Sequence, residues 1–198
     1  MSPYPSGWPY DQQAMIRGFL RTGRAAVFTA AASTLLVGCG FLSSSSMVAP
    51  TPMTISSDAF SQTGPLPADF TCHAAHPVTP PLAWFGAPAG TQSYALVVDD
   101  SSAPITPYIY WIVFDISPTT TDIQQGHLPP KAKQALNSAG TVGYDPPCPQ
   151  GQSHSYRFTI YALNTTLTLP AGTSLQSAWT AIAAATIGRG RTAASGNP

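Results

Sequence analysis

The side chains able to do chemistry gather in two short stretches. GYDPPCPQGQSHSYRF (143–158) sets Cys148, His154 and Tyr156 in and just after a turn rich in Pro and Gly, and FTCHAAHPVTPPLAW (70–84) sets Cys72, His73 and His76 in another. Three chemistries are open to such a set. A serine hydrolase would use His154 with Ser153 or Ser155. Neighbours in a strand point to opposite faces, however, and GQSHS is not the G-x-S-x-G elbow that exposes a nucleophile. A zinc site would draw on Cys72, His73, His76, Cys148 and His154, but the cysteines lack the short paired spacing of a zinc module. The third is a binding site with no turnover. No P-loop, dinucleotide fingerprint or zinc-protease helix is present. The expectation is therefore no catalytic residue, no metal and no cofactor, with hydrolysis as the minor alternative.

Binding requires elements that bring these residues to one place. In HSYRFTIYAL, two-residue alternation puts His154, Tyr156, Phe158, Ile160 and Ala162 on one strand face and Ser155, Arg157, Thr159 and Tyr161 on the other. A His and a Tyr thus begin a face that apolar residues complete, which suits a pocket at a sheet end, polar at the mouth and apolar beneath. SYALVVDD (93–100) and YIYWIVFDI (108–116) are apolar on both faces, as central strands are. Between 117 and 140 lies a long polar connection in which KAKQAL predicts one helical turn. Leu175, Ala178, Trp179 and Ile182 recur at helical spacing, with Thr173 or Ser174 as N-cap and Gly188 as stop; Trp179 reads as a core anchor. His73, His76, Lys131 and Lys133 read as solvated surface. The fold class expected is mainly β, with one amphipathic helix near the C-terminus.

Composition narrows the partners. The 198 residues carry net charge 0 and only 8 % charged side chains; no Glu occurs, and the eight cations are scattered along the chain, so the basic stripe of a nucleic-acid binder is missing. Abundant Pro, Thr and Val with few Lys also disfavours a helical fold.

Arg17, Arg21 and Arg24 precede an uncharged run from Ala25 to Val37, the layout of an export signal, and that run is shorter than the ~20 residues of a spanning helix. It ends in Leu36-Val37-Gly38-Cys39, which resembles the lipobox of bacterial lipoproteins. Cys39 would then carry lipid and hold the protein on the outer face of the bacterial cell membrane. Residues 1–14 fit no signal peptide, which points to Met15 as the start. The expected organisation is a signal peptide over 1–38, a lipidated Ser- and Pro-rich tether over 39–53 and a folded domain over 54–198. In an exported domain the remaining cysteines are read first as a Cys72–Cys148 disulfide.

Four pieces in this order, FTCHAAHPVTPPLAW, ALVVDDSSAP, YWIVFDI and GYDPPCPQGQSHSYRFTIYAL, resemble the phosphatidylethanolamine-binding protein family, in its bacterial Raf-kinase-inhibitor-like branch. The resemblance implies a large central sheet, a smaller sheet and peripheral helices, with a pocket for small anions such as a phospholipid headgroup. Carried over position by position, it assigns that pocket to Asp100, Tyr110, His154 and Tyr156. The chain departs from the family pattern at four points: Ser102 stands for a second Asp, Tyr110 for a His, Pro146 for a Gly and Ser155 for an Arg, while Ala103, Pro104 and Trp111 are kept. Losing a His and an Arg removes donors for a phosphate, and Pro146 has no N–H to offer. A weaker anion site, or a more neutral ligand walled by tyrosines, is expected. Modulation of a partner protein, of protease or kinase type, is the alternative function implied by the family.

Overall fold

The computed structural model describes residues 49–102, 106–149, 151 and 153–196. The expected signal peptide, Cys39, most of the expected tether, and Ala103 and Pro104 lie outside the described residues. Nine strands and one α-helix follow in order: β1 (Thr51–Pro52), β2 (Thr54–Ser56), β3 (Leu82–Phe85), β4 (Ser93–Asp100), β5 (Tyr108–Ile116), β6 (Asp122–Ile123), β7 (Lys133–Gln134), β8 (His154–Leu163), α1 (Leu175–Ala185) and β9 (Thr186–Gly196). They form a six-stranded sheet, β1-β9-β8-β4-β5-β7, and a three-stranded sheet, β2-β3-β6. All pairings are antiparallel except β1 with β9. The mainly β, two-sheet architecture expected from the sequence is the one observed.

Layering explains why the central strands read as continuous apolar runs. Every residue of β4 is buried, because both faces of the large sheet are covered. Ile55, Leu82, Trp84 and Ile123 of the small sheet pack on Leu96, Val98, Phe158 and Ile160, while Ala178, Ile182 and Ala185 of α1 pack on Val97, Phe114, Tyr161 and Leu163. Asp99 and Asp100, adjacent in β4, consequently end up on opposite sides of the sheet.

Four local expectations are corrected. Lys133–Gln134 form strand β7 on the sheet edge instead of a helical turn, and Lys133 is no idle surface residue: its Nζ lies 3.1 Å from Asp115 Oδ2 and 5.9 Å from the centre of the Phe114 ring. Gly188 does not end the helix. Ser174 caps α1, its Oγ accepting from Ser177 N, but the chain passes at Thr186 directly into β9, a strand the sequence reading did not include. Trp179 is not a core anchor: the buried stripe is Ala178, Ile182 and Ala185, and the indole is 40 % exposed. Finally Thr51–Met53, read as tether, belong to the sheet, with Met53 N bonded to Arg189 O and its side chain buried.

Gly190 makes that last arrangement possible. A Cβ there would sit 2.6 Å from the backbone oxygen of Met53, so only a residue without a side chain lets the N-terminal segment cross the face of β9. Elsewhere loops line the long strands of the sheet. Thr63 N and Leu66 N donate to Ala193 O and Ser195 O of β9, and Ala135 N, Ser138 N and Asp145 N donate to Ile112 O, Ile109 O and Tyr110 O of β5.

Candidate functional site

The ends of β4, β5 and β8 converge at one edge of the face shared with the small sheet. Antiparallel register sets Asp100 directly across from Tyr156, and places His154 at the first position of β8. A bulge in β5 does the rest: Val98 pairs with Trp111 but Asp99 with Ile109, so Tyr110 is the extra residue and joins Trp111 on the same side. The structure thus brings Asp100, Tyr110, His154 and Tyr156 into one cluster.

Asp100, 3 % exposed, spends both carboxylate oxygens: Oδ1 accepts from Ser102 N at 2.8 Å, and Oδ2 accepts from His154 Nδ1 at 2.7 Å. The first bond closes a turn on the strand end, and the second fixes the imidazole, leaving Nε2 as its remaining polar atom. The His154 ring lies nearly parallel to Tyr156 at 5.8 Å; Tyr110 meets Tyr156 edge-on at 5.6 Å, and Tyr108 stands 4.8 Å beyond Tyr110. Tyr156 is fully buried, yet its hydroxyl has no hydrogen-bond partner among the described residues. A buried hydroxyl left unpaired is costly, as is the Trp84 Nε1 donor, unpaired in the same way. Gly196, paired with His154, lets that ring fit, since a Cβ there would fall 2.5 Å from the ring edge.

Electrostatics keep the tyrosines neutral. Burial, and next the Asp100 charge, push Tyr156 up to about 12; burial and the bond to Asp145 push Tyr108 up to about 12 as well. Tyr110 is raised further, first by burial and then by the charges that would build on Tyr156 and Asp100. The cluster offers phenol O–H donors beside a carboxylate–imidazole pair.

Two contributors were not visible in the sequence reading. Asp145 Oδ2 accepts from the Tyr108 hydroxyl at 2.7 Å, and its own N–H donates to Tyr110 O, so the Pro-rich turn is stitched to the site-bearing strand. Its DPP context was the available signal, because an acid ahead of prolines often holds a turn. The second is that two departures from the family pattern touch: Ser102 Oγ accepts from Ser155 N at 3.0 Å. Neither position carries a charge.

The turn is secured at its other end. Cys72 and Cys148 form a disulfide with Cα atoms 5.2 Å apart, Cys72 N donates to Pro147 O, and the Tyr144 hydroxyl donates to Phe70 O at 2.7 Å. Their sulfurs are bonded to each other, which takes both away from a zinc ion. His73 and His76 are exposed.

Fold and cluster together describe a two-sheet protein with a polar aromatic cluster at one end of the large sheet. The family model for phosphatidylethanolamine-binding protein matches residues 56–196. An uncharacterised-family protein, UPF0098, of Methanothermobacter thermautotrophicus is 38 % identical over 127 residues, covering 62 % of this chain and 83 % of its own. A Mycobacterium tuberculosis protein named "Putative lipoprotein LppC" is 42 % identical over 142 residues, covering 71 % of this chain and 70 % of its own. The crystal structure of the phosphatidylethanolamine-binding protein homologue CT736 from Chlamydia trachomatis superposes with a TM-score of 0.68 at 30 % identity, over 75 % of this chain and 99 % of that one. Escherichia coli YbcL shares the fold, with a TM-score of 0.68 at 24 % identity over 74 % and 98 % of the two chains. The chain belongs to the phosphatidylethanolamine-binding protein family.

Proposed function

We propose that this protein is an exported lipoprotein, held on the outer face of the bacterial membrane through Cys39, whose folded domain binds a small anion or phospholipid headgroup without turning it over. The observation that carries the binding is the orphaned Tyr156 hydroxyl beside the Asp100–His154 pair. A ligand oxygen accepting from Tyr156, with His154 Nε2 in reach, would satisfy the group the fold leaves unsatisfied. Absence of turnover is supported by the serines: Ser101 and Ser102 spend their hydroxyls on the backbone of Ser155, and among the described residues none bonds His154. The lipobox at Leu36–Cys39 and the name of the LppC relative support the anchor.

Native mass spectrometry of the full-length protein, extracted from its own membranes in mild detergent, tests both parts. A lipid-sized mass on Cys39 and a co-purified phosphate-class molecule lost in His154→Ala are expected. An unlipidated Cys39 overturns the anchor; a bare domain that also ignores added phosphoethanolamine overturns the binding. A stoichiometric protein partner in its place favours the modulator role.

A further inference from the structure

Three of the cations that look scattered in the sequence, Arg157, Arg189 and Arg191, are gathered by the fold on the opposite side of the large sheet. In Thr186–Gly196 the alternation Gly-Arg-Gly-Arg sends the glycines toward Met53 and Pro88 and the arginines to the helix side. Register sets Arg189 across from Tyr161, Arg191 across from Thr159, and Arg157 across from Asp99. The three arginines, Asp99 and Tyr161, with Trp179 of α1, line a cavity of about 330 Å³.

Charge within it is unbalanced. Arg157 is neutralised by a two-pronged pair, its Nε and Nη2 both donating to Asp99. Arg189 and Arg191 have no carboxylate within ion-pair distance among the described residues, and both are exposed. Arg191 is held in place, its Nε donating to Thr159 Oγ1 at 2.9 Å, and both arginines pull down on the titration of Tyr161, which burial raises. Beside these cations stands an apolar wall: Trp179, 40 % exposed, edge-on to Tyr161 at 6.1 Å, with Leu175 one helical turn away.

We propose that this cavity is a second binding site, separate from the Asp100–His154 cluster, for a phosphate monoester carrying a compact apolar body. Two guanidinium forks match the phosphate oxygens, and the indole face takes the apolar body. The volume lies at the small end of the range for ligand pockets, which fits one headgroup-sized molecule and not a folded partner.

The test is calorimetric titration of the full-length protein in mild detergent with phenyl phosphate, dihexanoyl phosphatidic acid and inorganic phosphate. Phenyl phosphate is expected to bind about tenfold tighter than inorganic phosphate, the worth of one aromatic contact. In the His154→Ala background, where the Asp100–His154 cluster no longer takes phosphate, phenyl phosphate should still bind, and adding Arg189→Ala/Arg191→Ala should weaken it by at least about tenfold, the loss of charge-assisted bonds. Trp179→Ala, on a different element, should abolish the preference for phenyl over inorganic phosphate. A tighter fit for phenyl phosphate marks a soluble ester as the source, and a tighter fit for dihexanoyl phosphatidic acid marks a lipid. In the His154→Ala background, binding of phenyl phosphate that survives the double arginine substitution, or that is absent at about 10 mM, a negligible affinity, overturns the proposal.

Discussion

Removing the disulfide with Cys72→Ala/Cys148→Ala perturbs the protein with little disturbance of native contacts. The Tyr144–Phe70 and Cys72–Pro147 hydrogen bonds still hold the two loops together, so the cost falls on the unfolded chain. The bridge closes a sequence separation of 76, which on the chain-entropy model is worth about 4.5 kcal/mol at 25 °C. A domain of this size shifts by about 3 °C per kcal/mol, so thermal unfolding followed by circular dichroism should fall by roughly 10–15 °C. The mechanism leaves a second mark. A chain released from its cross-link expands on unfolding and exposes more surface, so the urea m-value of the double variant should rise. A midpoint lowered by less than about 3 °C, with an unchanged m-value, would refute the entropic reasoning. Thiol counting on the denatured, unreduced parent protein should find neither Cys72 nor Cys148 reactive.

Three further outcomes follow from the geometry. His154→Ala should abolish binding of phosphoethanolamine, measured by calorimetry, and lower the thermal midpoint by roughly 3–6 °C, because the half-buried ring contributes little packing but its loss leaves the buried Asp100 Oδ2 unpaired. Gly190→Ala drives a Cβ into the Met53 backbone and should cost about 2 kcal/mol by urea denaturation; a neutral result would mean that β1 is not seated on β9. Tyr108 and Tyr156 are raised to about 12 in the folded state against an ordinary 10, and for an acid so raised the stability is complete below pH 10 and lost as pH climbs toward 12. Stability should therefore fall above about pH 10, with phenolate absorbance appearing alongside unfolding; ionisation of the full tyrosine complement near pH 10 with the fold intact would contradict the burial.

The parts of the fold legible in the sequence are those whose own side chains specify them. β4, β5 and β8 were read with their observed limits because β-branched and aromatic runs between Gly, Ser and Pro leave little choice. β9 was hidden because it is specified from outside: its glycines and alanines accommodate Met53, Pro88 and Tyr156, and pairing with β8 does the rest. Trp179 misled because helical spacing gives a stripe but not its width, and small alanines at 178 and 185 took the buried centre. At the site, His154 and Tyr156 share a face by simple alternation, whereas Asp100 was assigned from the family resemblance and reaches them through the register of β4 with β8. The bulge that admits Tyr110 is a property of pairing, and so is the meeting of Ser102 with Ser155 across two strands; neither leaves a trace in one chain segment read alone.

The loops that hydrogen-bond along the outer sides of β5 and β9 have a consequence for life in a crowd. A strand edge with free N–H and C=O groups is a template on which another chain can polymerise. Here the outermost strands of the large sheet are two residues each, one of them carrying Pro52, and the longer strands behind them are already paired with loop backbone. A foreign strand finds almost no ladder to extend. Proteins held in the plane of a membrane, as the proposed Cys39 anchor would hold this one, collide far more often than the same number in solution, and a sheet with its edges closed could be packed there densely without seeding aggregates.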